Sequence, residues 1–331
     1  MDRSGKVSEK AEQALAARTA SGPLDSGLLA QHQVFLAAAT ADNTRRAYRS
    51  AIRHYLAWGG VLPAQEGDVV RYLLAYAGSL NPRTLALRLT ALAQWHRQQG
   101  FADPTASVTV RKTLAGIGRV HGVPAKKARP LELADLERIV AWLEQEGSLK
   151  ARRDNALLQV GFFGGFRRSE VVGLQVEHLA WERQGLVITL ARSKTDQRGE
   201  GIAKAIPYGE GAVCPATALR RWLADAGIRE GALFRAVTRW NAVGTGALHA
   251  ASVNTILAGR ARQSGLDHVP ELSSHSLRRG MATSAHRAGA SFRDIKRQGG
   301  WRHDGTVQGY IEEASQFTDN AAAALLRRKA T

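Results

Sequence analysis

Cysteine is almost absent from this sequence: Cys214 stands alone among 331 residues. One thiol excludes an internal disulfide and any cysteine-built zinc site, and it fits a reducing cytoplasm. Long apolar runs are missing too. No segment approaches the roughly 20 residues needed to span a bilayer, and the opening MDRSGKVSEKAEQ lacks the apolar core of a secretory signal. A cytoplasmic location and no membrane partner are therefore expected. Carboxylates are scarce, with 29 Asp and Glu against 46 Lys and Arg, for a net charge of +17. That excess attracts polyanions, of which nucleic acid is the usual one. No internal repeat or low-complexity tract is present. No carboxylate or histidine cluster has metal-ligand spacing, so no metal site is expected.

What remains reads as a folded two-domain chain, mainly α with a small β-meander. Residues 1–25 are polar, alanine-rich and broken by SGPLDSG, and are read as a flexible leader. A helical domain is expected over 26–118. In DNTRRAYRSAIRHYLAWGG, Tyr48, Ile52, Tyr55 and Leu56 share one helix face, while Arg45, Arg46, Arg49 and Arg53 share the other. In NPRTLALRLTALAQWHRQQG, Asn81 caps, Pro82 takes the first helical position, Leu85, Leu89 and Leu92 line a face, and Gly100 ends the helix. Each arginine row is either a solvated helix face or a set of phosphate contacts. Two such helices in one basic domain favour phosphate, with Arg83 and Arg88 joining Arg45, Arg46 and Arg49 as candidates. RVHGVPAKKARP, 119–130, reads as a basic linker in which Lys126 and Lys127 can lie along a DNA backbone. The second domain, 131–331, opens with helical patterns. Two strands follow, LVITLARSKTDQRG and GIAKAIPYG, and then further helices. The tail from about 312 reads as a linker and a short helix, packed on its own domain or on a neighbouring protomer.

Several motifs in this second domain carry reactive side chains. GGFRRSEVVGL sets Arg167 and Glu170 three apart after a pair of glycines. By itself this is an ordinary helical ion pair. Lys194 sits in ARSKTDQRG at a strand-to-turn junction, and SHSLRRG sets His275 and Arg278 three apart. GGWRHDGTVQGYIEEA ends one helix at Trp301 and then reads as a loop leading to Tyr310. Taken together, these residue types suit cleavage of a phosphodiester without a metal. Two guanidiniums can fork onto the phosphate oxygens. A histidine can relay a proton, a lysine can protonate the leaving oxygen, and a tyrosine can attack.

In this order, GFRRSE, SKT, HSLR, GGW and Tyr310 resemble the tyrosine recombinase (phage integrase) family, and within it the Cre recombinase branch. The likeness extends over nearly everything after the leader. It implies a C-shaped DNA clamp, a helical core-binding domain plus an α+β catalytic domain. It implies a site made of Arg167, Glu170, Lys194, His275, Arg278, Trp301 and Tyr310, with Tyr310 as nucleophile. It further implies strand exchange through a 3′-phosphotyrosine and a Holliday junction, with no ATP or other cofactor. The implied partner is double-stranded DNA with an inverted-repeat target, bound by a dimer on each site and a tetramer in the synapse. The sequence departs from the Cre branch at Ala251, where that branch has a base-reading arginine, so Ser252, Asn254 and Arg260 become the candidates for that helix. The other readings of the same residues are a type IB topoisomerase and a silent DNA-binding regulator.

Overall fold

The computed structural model describes residues 40–124, 126–190, 201–317 and 320–326, with single positions between 27 and 35. The expected leader and the whole of 191–200, with Lys194, lie outside the described residues. The chain divides into two compact units, 1–125 and 126–331.

The first unit is helical: α1 (Asp42–Ala57), α2 (Glu66–Tyr76), α3 (Pro82–Gln98) and α4 (Val108–His121). Side chains at the helix starts write its boundaries. Asn81 accepts the Arg83 N–H at 2.9 Å ahead of Pro82, and Ser107 accepts the Val110 N–H at 3.1 Å. Tyr55, Val69, Tyr72, Leu85, Leu92 and Val110 are wholly or almost wholly buried as its core. Two expectations change here. Leu56 is 46% exposed, because it sits about 100° around the helix from buried Tyr55. Arg88 turns inward rather than toward a partner, donating from Nη1 to Tyr72 Oη at 2.9 Å and contacting His54. Helix α4 also runs to His121, so the extended connection is shorter than the linker read from the sequence. By Arg129 and Leu131 the chain already donates to the Glu271 and Ser276 carbonyls of the second unit.

The second unit follows the α+β pattern expected. Its helices are α5 (Leu133–Glu146), α6 (Leu149–Phe163), α7 (Arg168–Val172), α8 (Pro215–Asp225), α9 (Ser252–Gln263), α10 (Ser274–Arg287), α11 (Phe292–Gly299), α12 (Asp304–Ser315) and α13 (Ala321–Leu326). Strands β1 (Leu179–Glu182), β2 (Gly185–Leu190) and β3 (Ile202–Pro207) form one antiparallel sheet in that order, with Leu190 opposite Ile202. A second hairpin joins β4 (Arg235–Val237) to β5 (Val243–Ala247). Helix α6 is buried on nearly all sides and packs against α5, α8 and α10. Its buried polar residues therefore need partners inside the domain: Asn155 donates to Glu144 and Gln159 to Ala212 O. Its buried carboxylate, Asp154, accepts from the Nε atoms of Arg153, the buried cation beside it on α6, and of Arg260 at 2.7 Å each. Arg260, expected to face DNA, is therefore a core residue: it is 7% exposed and its guanidinium stacks 5.3 Å from the Trp142 ring centre. The reason is electrostatic, since a buried carboxylate demands cations.

Candidate active site

The site is assembled on a turn, a strand and three helices. Helix α6 ends at Phe163, and Gly165 reverses the chain with φ +54°, a left-handed conformation that suits glycine. A Cβ at Gly165 would lie 2.6 Å from Met281 Cε. The turn leaves two carbonyls facing inward. Gly164 O accepts from Lys204 Nζ at 2.6 Å, and Gly165 O accepts from Arg278 Nη1. Just beyond, Arg167 caps α7. Glu170 reaches back to its N–H at 2.9 Å and pairs with its guanidinium at 2.5 Å. The expected ion pair is thus also a cap that fixes how Arg167 leaves the turn.

Helix α10 brings the next residues. Ser273 and Ser276 form a capping box at its start, and Asn254 Oδ1 accepts the Ser274 N–H at 2.7 Å. Asn254 accordingly spends its carbonyl on tying α9 to α10, while Ser252 at the start of α9 is half-buried. Arg278 is 1% exposed, and its Nη1 also donates to Gly299 O at 2.6 Å. Among the described residues its Nη2 meets no hydrogen-bond partner. Burial, and next the Arg167 charge, lower Arg278 to about 10, which leaves it charged at neutral pH. His275, three residues earlier, points its Nε2 at Tyr310 Oη at 3.4 Å, the outer edge of hydrogen bonding. Its packing against the protein, followed by the Arg278, Arg279 and Arg167 charges, holds its pKa below the ordinary histidine value. A neutral imidazole so placed can accept the phenol proton.

The GGW turn closes the site. Gly300 ends α11 with φ +65°, and Trp301 folds back over Gly299, where a Cβ would lie 1.8 Å from the indole. The Arg278 guanidinium sits 4.1 Å from the Trp301 ring centre. Trp301 meets Tyr310 edge-on at 5.7 Å. Here the structure corrects the sequence reading of 302–309. Tyr310 is not delivered by a loop but lies inside α12, which starts at Asp304 and is anchored by fully buried Val307. The glycines of GTVQG lower helix propensity, but packing against α10 overrides it.

The structure therefore brings Arg167, Glu170, His275, Arg278, Trp301 and Tyr310 together. Three more side chains join them. Lys204 is 2% exposed, and its ammonium lies 4.6 Å from the Phe166 ring centre. Burial and the Arg278 charge, with Glu170 opposing them, lower its pKa to about 7. The sequence signal for it was available: in the alternating strand IAKAIP, Lys204 shares the inward face with Ile206. Arg279 and Glu313 pair across α10 and α12, and no spacing rule links residues so far apart. Among the described residues, no three His, Cys, Asp or Glu side chains gather as metal ligands, and no helix is long and apolar enough to cross a membrane.

The DNA candidates divide. Arg45, Arg46, Arg49 and Arg53 line a groove of about 760 Å³ between α1 and α3. Arg83, Lys126 and Lys127 are exposed, whereas Arg88 and Arg260 face inward.

Buried Arg278, half-buried Arg167, a histidine and a tyrosine gathered on the α+β second unit form the arrangement expected of a tyrosine recombinase. The chain belongs to the phage integrase family, whose model matches residues 129–316. It is 36% identical over 291 residues to the integrase/recombinase xerD homolog of Selenomonas ruminantium, covering 85% of this chain and 84% of that protein. It is 25% identical to the recombinase cre of Escherichia phage P1, over 85% of this chain and 87% of the other. The fold resembles that of a lambda integrase tetramer bound to a Holliday junction. There the TM-score is 0.57 and the identity 15%, covering 92% of this chain and 83% of that one.

Proposed function

We propose that the protein is a site-specific DNA recombinase that cuts and rejoins strands through a covalent bond to Tyr310. The observation that carries this reading is Arg278: a buried guanidinium with an N–H unpaired among the described residues, 4.1 Å from Trp301 and on the same helix as His275. A buried cation with a free donor is suited to an anion. In the reaction, Tyr310 Oη bonds to the scissile phosphorus as its proton passes to His275. Arg167 and Arg278 hold the non-bridging oxygens, and Trp301 shields them from water. The 5′-oxygen departs with a proton from Lys194, leaving a 3′-phosphotyrosine. A 5′-hydroxyl from the partner strand then attacks that phosphorus and releases the tyrosine. One phosphodiester is exchanged for another, so no ATP is consumed.

Assembly follows from the same reading. Both units contact the duplex, with Arg45, Arg46, Arg49, Arg83, Lys126 and Lys127 on backbone phosphates. The target is an inverted repeat, bound by two protomers, and two such sites pair as a tetramer that resolves through a Holliday junction. The protein acts in the cytoplasm, on nucleoid or phage DNA. The tail supplies the link between protomers. Phe317 and Leu326 are 80% and 81% exposed, and an apolar groove of about 750 Å³, lined by Phe163, Met281, Ala285, Ala290 and Ile295, suits the alanine- and leucine-rich α13 of a neighbour.

The test is Tyr310→Phe. With genomic fragments selected by binding, the wild type should form a protease-sensitive covalent adduct, and Y310F should lose it while binding within about twofold. Adducts persisting in Y310F would reassign the nucleophile. Rapid relaxation of supercoiled plasmid lacking any selected site would identify a topoisomerase instead.

A further inference from the structure

Arg278 and Arg279 are neighbours, yet each serves a different aromatic ring. Arg278 stacks on Trp301, and Arg279 sits 5.2 Å from the ring centre of Tyr310. Arg279 is 3% exposed and, among the described residues, its Nε has no partner. Its Nη2 donates to Glu313, whose side chain is 36% exposed. A cation taken this far out of water needs a counter-charge, and losing one partner of such a pair is far costlier than losing a surface bridge.

Glu313 is otherwise badly placed. It lies in the last turn of α12, where the helix dipole disfavours a carboxylate, and no basic residue occupies that turn. The pairing with Arg279 accounts for it. Glu313 is three residues after Tyr310, so the two project from one face of α12. On the opposing helix, Arg279 is four residues after His275, again on one face. A single ion pair therefore fixes the rotation and height of α12 against α10 beside the 3.4 Å approach of Tyr310 Oη to His275 Nε2.

We propose that the Arg279–Glu313 pair is a latch that docks the Tyr310 helix onto the His275 helix of the same chain and so sets how readily the tyrosine attacks. Arg279 and Glu313 are positioning residues: Glu313 acts through the helix, and Arg279 through the helix and the ring it supports. A latch with a one-third exposed carboxylate can also open, releasing α12 when a partner protomer pulls on the chain that follows it. The inference rests on Tyr310 being the nucleophile.

The experiment uses the full-length protein on its own selected DNA site, nicked beside the scissile phosphate so that the covalent adduct accumulates. Single-turnover adduct formation at saturating DNA is compared among wild type, Glu313→Gln, Arg279→Glu, and the charge swap Arg279→Glu with Glu313→Arg. Glu313→Gln should slow adduct formation at least tenfold with site affinity within twofold, and its thermal unfolding, although shifted down, should remain a single transition that lies above the assay temperature. Arg279→Glu should slow it further, and the swap should restore at least tenfold of that loss. A wild-type rate in Glu313→Gln, or a swap no faster than Arg279→Glu alone, overturns the latch. A wild type that forms no adduct would instead overturn the recombinase reading, so the two failures are distinguishable.

Discussion

Lys204 illustrates how much a single side chain is asked to tolerate in this site. It is nearly sealed from water, faces Arg278 and Arg167 with the Glu170 carboxylate opposing them, and donates to Gly164 O. Burial and Arg278 bring its pKa from 10.5 to about 7. The folded state therefore binds the lysine proton more weakly than the unfolded chain does. Below pH 7 the ammonium is present in both states and its full cost, on the order of 5 kcal/mol, is borne by the fold. As pH rises above 7 the folded state sheds that proton first, so the cost is relieved. Relative to Lys204→Met, which carries no proton at any pH, wild-type stability should climb between pH 7 and 9. Urea unfolding of both proteins at pH 7, 8 and 9 measures the difference. Parallel free-energy curves would mean that Lys204 keeps its proton through this range.

At the scale of elements, α10 is the part whose position matters most, because it carries His275, Arg278 and Arg279. Its register is set by the Leu131 N–H donating to Ser276 O at 3.0 Å and by Gly280, where a Cβ would fall 1.9 Å from Leu131 O and 2.8 Å from Leu131 C. Backbone cannot yield as a flexible side chain would. Gly280→Ala should therefore push α10 outward and cost about 1–3 kcal/mol, which calorimetry should read as a melting temperature lower by roughly 2–4 °C per kcal/mol. Gly259→Ala in α9, where a Cβ meets nothing within 4 Å, is the control and should be neutral or slightly stabilising. Equal melting of the two variants would show that α10 has room to move. The same scale explains what could be read in advance. Helix ends were legible wherever the chemistry is local, as at Asn81-Pro82 or Gly300. Strand β1 was not, being four residues long and mostly exposed, and β5 offers only VGTGA. The residue types of the site were legible because His275, Arg278, Arg167 and Glu170 come in short fixed spacings. The helix under Tyr310, the inward turn of Arg260 toward Asp154 and the reach of Arg279 to Glu313 depend on contacts between distant segments. Spacing along the chain does not encode those.

For the whole molecule, the +17 charge should appear in how DNA binding responds to salt. A polyanion partner held by six to ten phosphate contacts would give a plot of log affinity against log salt with a slope of about −5 to −9. Not every arginine contributes, and the structure distinguishes them. Arg49 is exposed along the α1–α3 groove, whereas Arg88 gives its guanidinium to Tyr72 and His54 inside the first unit. Arg49→Ala should weaken binding to all sequences alike and make the slope shallower by about 1, while leaving the melting temperature unchanged. Arg88→Ala should do the reverse: it removes the guanidinium that contacts both the Tyr72 hydroxyl and His54, leaving them only each other, and lowers the melting temperature with the slope kept. Fluorescence anisotropy of labelled duplex between about 50 and 200 mM salt, the range over which such contacts are most sensitive, reads the first quantity, and thermal unfolding reads the second. If Arg88→Ala reduced the slope while Arg49→Ala did not, the DNA face of the first unit would be the one that Arg88 occupies. The row along α1 would then be a solvated surface, the alternative that its sequence left open.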